Sequence, residues 1–88
     1  MTGYSVEFSE LSRKQLTKLN PYIRSMIIKW VEKNLQGCEN PRAHGKGLTS
    51  NRSGQWRYRV GDFRLICEIL DNRLIILVLT IGDRKSVY

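Results

Sequence analysis

The fold of this chain is decided by one stretch of its sequence, Trp56-Arg57-Tyr58-Arg59-Val60-Gly61-Asp62-Phe63-Arg64-Leu65. Before the glycine, apolar and basic residues alternate strictly, as in a β-strand whose successive side chains point to opposite faces of a sheet. Gly61-Asp62, lying between two such runs, predicts a two-residue hairpin turn. This turn sets Val60 opposite Phe63 and Arg59 opposite Arg64.

The two faces of this hairpin differ sharply in chemistry. Trp56, Tyr58 and Val60 share one face, whereas Arg57 and Arg59 share the other. Like charges directly opposite one another destabilise a sheet by a few tenths to about 1 kcal/mol, so the facing arginines contribute nothing to folding. An anionic ligand would compensate their repulsion, and a phosphate group is the natural candidate.

The composition predicts one small basic domain spanning residues 1–88. The chain has 88 residues, of which 41% are hydrophobic, and a net charge of +7. A positive excess of this size attracts nucleic acid, an anionic membrane or an acidic protein, although it can also serve solubility alone.

Neither a targeting segment nor a membrane span is expected, and a cytoplasmic location is preferred. The first twenty residues have no apolar core typical of a signal peptide. The longest apolar run, residues 74–79, is far shorter than the roughly 18 residues that a span requires. Cys38 and Cys67 lack the spacing of a metal site, and a disulfide between them is possible but unforced. Cys67 is expected to be buried in a strand, and Cys38 to be exposed after a helix.

The N-terminal half predicts a strand followed by a helix hairpin. Residues 4–8 alternate as a strand does. Ser9 is a suitable N-cap for a helix over residues 10–18. Asn20-Pro21 begins a second helix, with Asn as the cap and Pro in the first position, and Gly37 ends it. The two helices must form a hairpin because almost no linker separates them.

The C-terminal half predicts a long loop and three strands. Residues 38–54 are rich in Gly, Ser and Asn and form the loop, which can include a short strand at residues 46–49. The strands cover residues 55–60, 63–70 and 73–81. The last strand has no alternation, so both of its faces are expected to be covered.

A second tight turn is predicted at Asp71-Asn72. This turn would set Leu70 opposite Arg73 and, further along, Phe63 opposite Thr80. Following the pairing around both turns leaves one apolar face for the helices and one mixed face, which carries Arg57, Arg59, Arg64, Glu68, Ile66, Leu77 and Leu79. The sequence therefore predicts an α+β fold: an N-terminal strand, a helix hairpin and a three-stranded antiparallel meander, with the helices packed on one face of a small sheet.

Two sequence features could carry chemistry. His44 stands alone without further metal ligands, so it is either a solvated loop residue or an acid–base group near an RNA. Tyr88 follows Arg84-Lys85 after the last strand, and surrounding cations would lower the pKa of its hydroxyl by favouring phenolate. A phenolate can take a proton from a ribose 2′-OH while arginines stabilise the phosphate, and no metal or other cofactor is needed for that route.

Residues 56–66 and the C-terminal run Ile81-Gly82-Asp83-Arg84-Lys85-Ser86-Val87-Tyr88 resemble the RelE branch of the RelE/ParE toxin superfamily. The resemblance implies a bacterial type II toxin, an endoribonuclease (mRNA interferase) that cuts mRNA in the ribosomal A site and leaves a 2′,3′-cyclic phosphate and a 5′-hydroxyl. It implies that Arg64 stabilises the transition state, Arg84 supports the leaving group and Tyr88 is the general base. RNA-binding roles are expected for Arg57, Arg59, Lys46 and Lys85. Where RelE enzymes can have lysines, this chain has Gln55 and Arg57, and an arginine is a phosphate clamp rather than a proton shuttle.

Alternatives remain open beside this hypothesis. A ParE-like DNA gyrase inhibitor would act by protein binding without catalysis, and a nonspecific nucleic-acid binder or an inactive toxin are further possibilities. In either toxin case an acidic RelB-like antitoxin is the expected partner in a hetero-oligomer, besides the ribosome and mRNA. Ile66, Leu77 and Leu79 either receive an antitoxin segment or are covered by the first strand or the C-terminal tail.

Overall fold

The computed structural model describes residues 3–49 and 54–83. Its regular elements follow the predicted order closely, with two additional 3-10 turns at Pro41–Ala43 and Asp71–Arg73. The helices and strands are β1 (Ser5–Phe8), α1 (Glu10–Lys18), α2 (Pro21–Asn34), β2 (Lys46–Gly47), β3 (Trp56–Val60), β4 (Phe63–Leu70) and β5 (Ile75–Asp83).

The strands form one five-stranded mixed sheet in the order β1-β5-β4-β3-β2. β3, β4 and β5 are the predicted antiparallel meander, and β2 extends it with two residues rather than four. β1 joins the opposite edge and runs parallel to β5, with Ser5 opposite Ile75 and Phe8 opposite Val78. The α+β prediction is confirmed. β5 lies between β1 and β4, but its burial alternates, so one of its faces is fully covered and the other only in part, whereas both were predicted to be covered.

Both helices begin at the predicted caps. The Ser9 hydroxyl accepts a hydrogen bond from the Ser12 amide at 3.1 Å, and the Asn20 side chain accepts one from the Tyr22 amide at 2.7 Å. These bonds satisfy amides that a helix start leaves without an intrahelical partner. Gly37 follows α2 with a φ of +80°, a conformation in which glycine carries no Cβ penalty.

The core lies between the helices and the predicted apolar face of the sheet. Burying such side chains stabilises the fold by about 1.5–3 kcal/mol for each large aliphatic group. The buried cluster includes Leu16, Ile27, Val31, Leu35, Tyr58, Val60, Leu65, Cys67, Ile76, Val78 and Ile81. Cys67 is buried as predicted, which raises the pKa of its thiol, whereas Cys38 is half-buried rather than exposed.

The predicted register between β4 and β5 is wrong. The connection is a 3-10 turn over Asp71–Arg73, followed by Leu74 in the left-handed region at φ +53°, so Leu70 lies opposite Ile75 instead of Arg73. A bulge next to Ile66 shifts the pairing again, because one residue of β5 has no counterpart on β4.

As a result, the strand predicted at residues 73–81 lies at Ile75–Asp83. Phe63 lies opposite Asp83 rather than Thr80, and Gly82 lies opposite Arg64.

Helix α1 covers the part of β5 that extends beyond β1. Ser9 donates its amide to the Val78 carbonyl and its hydroxyl to the Leu79 carbonyl, each at 2.9 Å. The Ile81 amide donates to the Gln15 side chain at 2.6 Å. These bonds satisfy backbone groups of β5 along the edge that β1 does not reach, and they hold the C-terminal part of the strand in place. In the described ranges no helix is long and apolar enough to cross a membrane.

Candidate nucleic-acid interface

Two pairs of cations face each other on the side of the sheet opposite the helices. Arg59 lies opposite Arg64, as predicted, and Lys46 lies opposite Arg57. The Cα atoms of residues directly opposite one another are about 4.5 to 5.5 Å apart, and residues two apart along a strand are separated by about 7 Å. Four positive charges therefore share a small area, which we call the basic face.

Exposure differs among the four members of the basic face. Lys46 and Arg59 are exposed, whereas Arg57 and Arg64 are half-buried. A long basic side chain can bury its stem against the sheet, and in Arg64 the burial extends to the guanidinium Nε atom. Gly82 lies opposite Arg64 on β5 and has no side chain, so it leaves room beside the Arg64 stem.

The remaining predicted site residues, Arg84, Lys85 and Tyr88, lie outside the described residues. β5 is described up to Asp83, opposite Phe63 at the hairpin end of β4. The sequence therefore continues into Arg84 from the same end of the sheet that carries the Arg59–Arg64 pair.

The apolar residues of the mixed face are only partly accessible. Ile66 is fully buried, whereas Leu77 and Leu79 are half-buried and Glu68 is exposed. Of the three residues predicted to receive an antitoxin segment or to be covered by the chain itself, Leu77 and Leu79 retain accessible surface.

An ion-paired cluster that the sequence did not reveal lies at the opposite end of β4. Both Asp71 carboxylate oxygens accept bonds from the Arg42 guanidinium at 3.0 Å, and the Tyr4 hydroxyl donates to Asp71 at 2.6 Å. Bidentate bonds of this kind are the stronger class of ion pair. The Arg42 bonds, followed by the Tyr4 bond, lower the pKa of Asp71 to about 2.

Further bonds tie the segment around Arg42 to strand β3. The Trp56 indole donates to the His44 carbonyl at 2.7 Å, and the buried Tyr58 hydroxyl donates to the Pro41 carbonyl at 2.6 Å. The imidazole of His44 lies edge-on to Trp30, with ring centroids 5.9 Å apart. Within residues 3–49 and 54–83, no three His, Cys, Asp or Glu side chains are grouped as metal ligands.

One sequence signal could have revealed part of this cluster. Asn40-Pro41 repeats the Asn-Pro pattern that begins α2, and the Asn40 side chain accepts a bond from the Arg42 amide at 3.1 Å. The pattern predicts a local turn. It does not predict the contact with Asp71, which is 29 residues away from Arg42.

A groove of about 640 Å³ lies along α2 and is distinct from the basic face. Tyr22, Met26 and Trp30 line it together with Lys29 and Lys33. Because α2 packs on the apolar face, this groove lies on the other side of the sheet from the facing cation pairs.

This chain is similar in sequence and fold to known toxins. A family model described as the ParE toxin of the type II toxin–antitoxin system parDE matches residues 6–88. Toxin RelG of Mycobacterium tuberculosis is 28% identical over 85 residues, covering 97% of this chain and 95% of the relative. A RelE-like toxin protein of Escherichia coli is 31% identical over 88 residues, covering 97% and 90%.

Solved structures agree in fold. A chain of the toxin–antitoxin complex RelBE2 from M. tuberculosis superimposes with a TM-score of 0.85 at 28% identity, covering 98% of this chain and 97% of that one. The isolated E. coli RelE toxin has a TM-score of 0.71 at 18% identity, covering 92% and 84%.

These matches define the class as the toxin component of a type II toxin–antitoxin system. The chain belongs to the RelE/ParE superfamily.

Proposed function

We propose that this toxin is a ribosome-dependent endoribonuclease that cleaves mRNA in the A site. The observation that carries the proposal is the basic face, where Arg59 faces Arg64 and Lys46 faces Arg57 on neighbouring strands. Repulsion between facing like charges opposes folding, whereas a phosphodiester bound across them neutralises it. The relatives named RelG and RelE-like toxin support the same branch of the superfamily.

The proposed reaction is an attack within the RNA strand. Tyr88, as phenolate, takes the proton of a ribose 2′-OH, and the 2′-oxygen forms a bond to the adjacent phosphorus. Arg64 stabilises the charge of the pentavalent phosphate. The bond from phosphorus to the 5′-oxygen breaks, Arg84 stabilises the departing oxygen, and a proton from water completes the 5′-hydroxyl. The other product is a 2′,3′-cyclic phosphate.

Binding and chemistry are divided among different side chains in this proposal. Arg57, Arg59, Lys46 and Lys85 hold flanking phosphates, because a guanidinium or ammonium group remains protonated at neutral pH. Sequence-specific RNA recognition requires bases to be splayed out and read individually, for which a domain this small offers little surface. The ribosome is therefore assigned the task of presenting the mRNA.

The proposed partner is an acidic RelB-like antitoxin that forms a hetero-oligomer with the toxin in the cytoplasm. The net charge of +7 favours an acidic segment, since complementary charge speeds association and selects the partner. Structures similar to this chain include toxins solved as toxin–antitoxin complexes, RelBE2 of M. tuberculosis among them.

A second function, inhibition of DNA gyrase by binding alone, is favoured by one observation. The family model that matches residues 6–88 carries the description ParE toxin of the parDE system. Such an inhibitor needs a binding surface but no general base. The role of Tyr88 therefore separates the two functions.

In-vitro translation with primer extension on stalled ribosomes tests the proposal. The wild-type toxin is expected to give new mRNA 5′ ends within the A-site codon, and the same mRNA without ribosomes should stay intact. Tyr88→Phe removes only a hydroxyl and should abolish cleavage while ribosome binding persists. Intact mRNA with wild-type toxin, together with loss of gyrase supercoiling activity, would overturn the proposal in favour of gyrase inhibition.

A further inference from the structure

Strand β2 is too short to hold its own position. It pairs with β3 through only two residues, Lys46 opposite Arg57 and Gly47 opposite Trp56. Even a complete two-stranded hairpin is marginally stable in water, and here one of the two pairs joins like charges. The position of Lys46 on the basic face must therefore be fixed by contacts outside the strand.

Those contacts form one continuous chain from the far end of the sheet. Tyr4 and Arg42 both bond to Asp71, and the Arg42 guanidinium lies over the Trp56 ring, 6.0 Å from its centroid. The Trp56 indole in turn donates to the carbonyl of His44, two residues before Lys46. Each link uses a side chain with a fixed hydrogen-bonding or stacking geometry.

The segment also touches β3 directly beside Lys46. Gly45 has a φ of +79°, and a Cβ built on it would lie 2.3 Å from the Arg57 carbonyl oxygen. Such close approach of two backbones is possible only with glycine. A small displacement of the segment therefore moves Lys46 relative to Arg57.

We infer that Asp71 is a positioning residue for phosphate binding, because it holds Arg42 and thereby keeps Lys46 opposite Arg57 on the basic face. The inference rests on the proposed function for its consequence, RNA binding. Asp71 itself contacts no RNA in this arrangement. Its carboxylate is negative, so by charge alone its presence should weaken RNA binding rather than strengthen it.

This opposition of signs makes Asp71→Asn informative. The substitution removes one negative charge, which by electrostatics alone tightens RNA binding. The inference expects the reverse: binding of a short fluorescein-labelled oligouridylate weakens roughly three- to tenfold, and the slope of log K against log salt falls by about 0.7, as for one lost phosphate contact. Glu39→Gln, the same charge change at an exposed residue of this segment, should bind as tightly as wild type or more tightly.

A double-mutant cycle with Lys46→Ala ties the effect to position. In the Lys46→Ala background, Asp71→Asn should cause no further loss of affinity, since the side chain that it positions is gone. Tyr4→Phe is charge-neutral, removes one of the bonds to Asp71, and should weaken binding in the same direction by less. Additive losses, or Asp71→Asn binding like Glu39→Gln, would overturn the inference.

Hydrogen exchange gives a readout that needs no RNA. The Leu48 amide bonds to the Gln55 carbonyl at 3.0 Å, next to β2. In Asp71→Asn this amide should exchange at least several times faster, while amides shared by β4 and β5 keep their wild-type rates. Unchanged exchange at Leu48 refutes the positioning role. If the double-mutant cycle gives the expected result but the wild-type toxin cleaves no mRNA on ribosomes, the proposed function alone is refuted.

Discussion

The two ends of strand β4 treat arginine in opposite ways. Asp71 directly follows the last residue of β4, and both of its carboxylate oxygens accept hydrogen bonds from Arg42. The Tyr4 hydroxyl donates a further bond to Asp71. Near the first residue of β4, Arg64 lies directly opposite Arg59. The first arrangement matches opposite charges, whereas the second sets two like charges directly opposite each other, a pairing that by itself disfavours a sheet. Where a fold accepts such a cost, the charges are better explained by a ligand.

The largest expected effect comes from replacing the arginine at the hairpin end of β4, with an arginine at the other end replaced as the control. Arg64→Ala should lower the rate of mRNA cleavage on programmed ribosomes by about 10² to 10³, because one charge-stabilising group is lost from the transition state. Arg73→Ala, at the exposed turn beyond β4, should leave the rate unchanged. Primer extension under single-turnover conditions measures both variants. Equal losses in the two would remove the functional distinction between the ends.

The second effect concerns the backbone near the Arg42–Asp71 ion pair, at the end of β4 that we call the clamped end. Gly45 and Gly37 have nearly identical φ angles, +79° and +80°, but only a Cβ on Gly45 would meet other atoms. Gly37→Ala should cost about 1 to 2 kcal/mol of unfolding free energy for its left-handed conformation. Gly45→Ala should cost a further 1 to 3 kcal/mol or so for the steric clash. Urea denaturation gives both values, and equal costs would contradict the close contact with β3.

At the hairpin end of β4, Arg59→Thr should stabilise the protein but weaken its binding to RNA. Removing one of two facing like charges raises the free energy of unfolding by a few tenths to about 1 kcal/mol, helped by the strand preference of threonine. The same variant should bind RNA less tightly, with a smaller salt dependence. Thermal denaturation and salt-dependent anisotropy test the two halves separately. A destabilised variant would show that this pair is not a cost to the fold.

The smallest expected effect is the change in protein stability when the Asp71 carboxylate is protonated in acid. Because the pKa of Asp71 is lowered from its ordinary 3.8 to about 2, its contribution to stability is complete above about pH 4 and is lost as the pH falls towards 2. Asp71→Asn should flatten this part of the acid denaturation curve. An unchanged curve in Asp71→Asn would contradict the strength of its pairing with Arg42.

Local signals in the sequence predicted most of this fold. Ser9 and Asn20 are caps whose bonds span two or three residues, and the turn at Gly61 sets the β3–β4 register by itself. The predicted β4–β5 register is wrong because the connection is a 3-10 turn over Asp71–Arg73 rather than a two-residue turn at Asp71-Asn72. The bulge beside Ile66 has no composition signal of its own.

The same difference between local and distant contacts determines which part of the candidate site could be predicted. Arg59 opposite Arg64 follows from one hairpin turn and was predicted, whereas Lys46 opposite Arg57 depends on how a long loop returns to the sheet. The loop is bonded to Trp56, Tyr58 and Asp71, which lie 12 to 29 residues away along the chain from their partners. No periodicity or spacing encodes such contacts, so the basic face was predicted in part and its anchor was missed.

The parallel pairing of β1 with β5 has a consequence for synthesis of the toxin. The first strand finds its partner in the last, and the Ser9 hydroxyl bonds to a carbonyl 70 residues further along. Contacts of such long sequence separation slow folding, because loop closure must precede them. The described sheet is therefore complete only after the strand at Ile75–Asp83 has been translated, and until then the edge of β1 that pairs with β5 stays open.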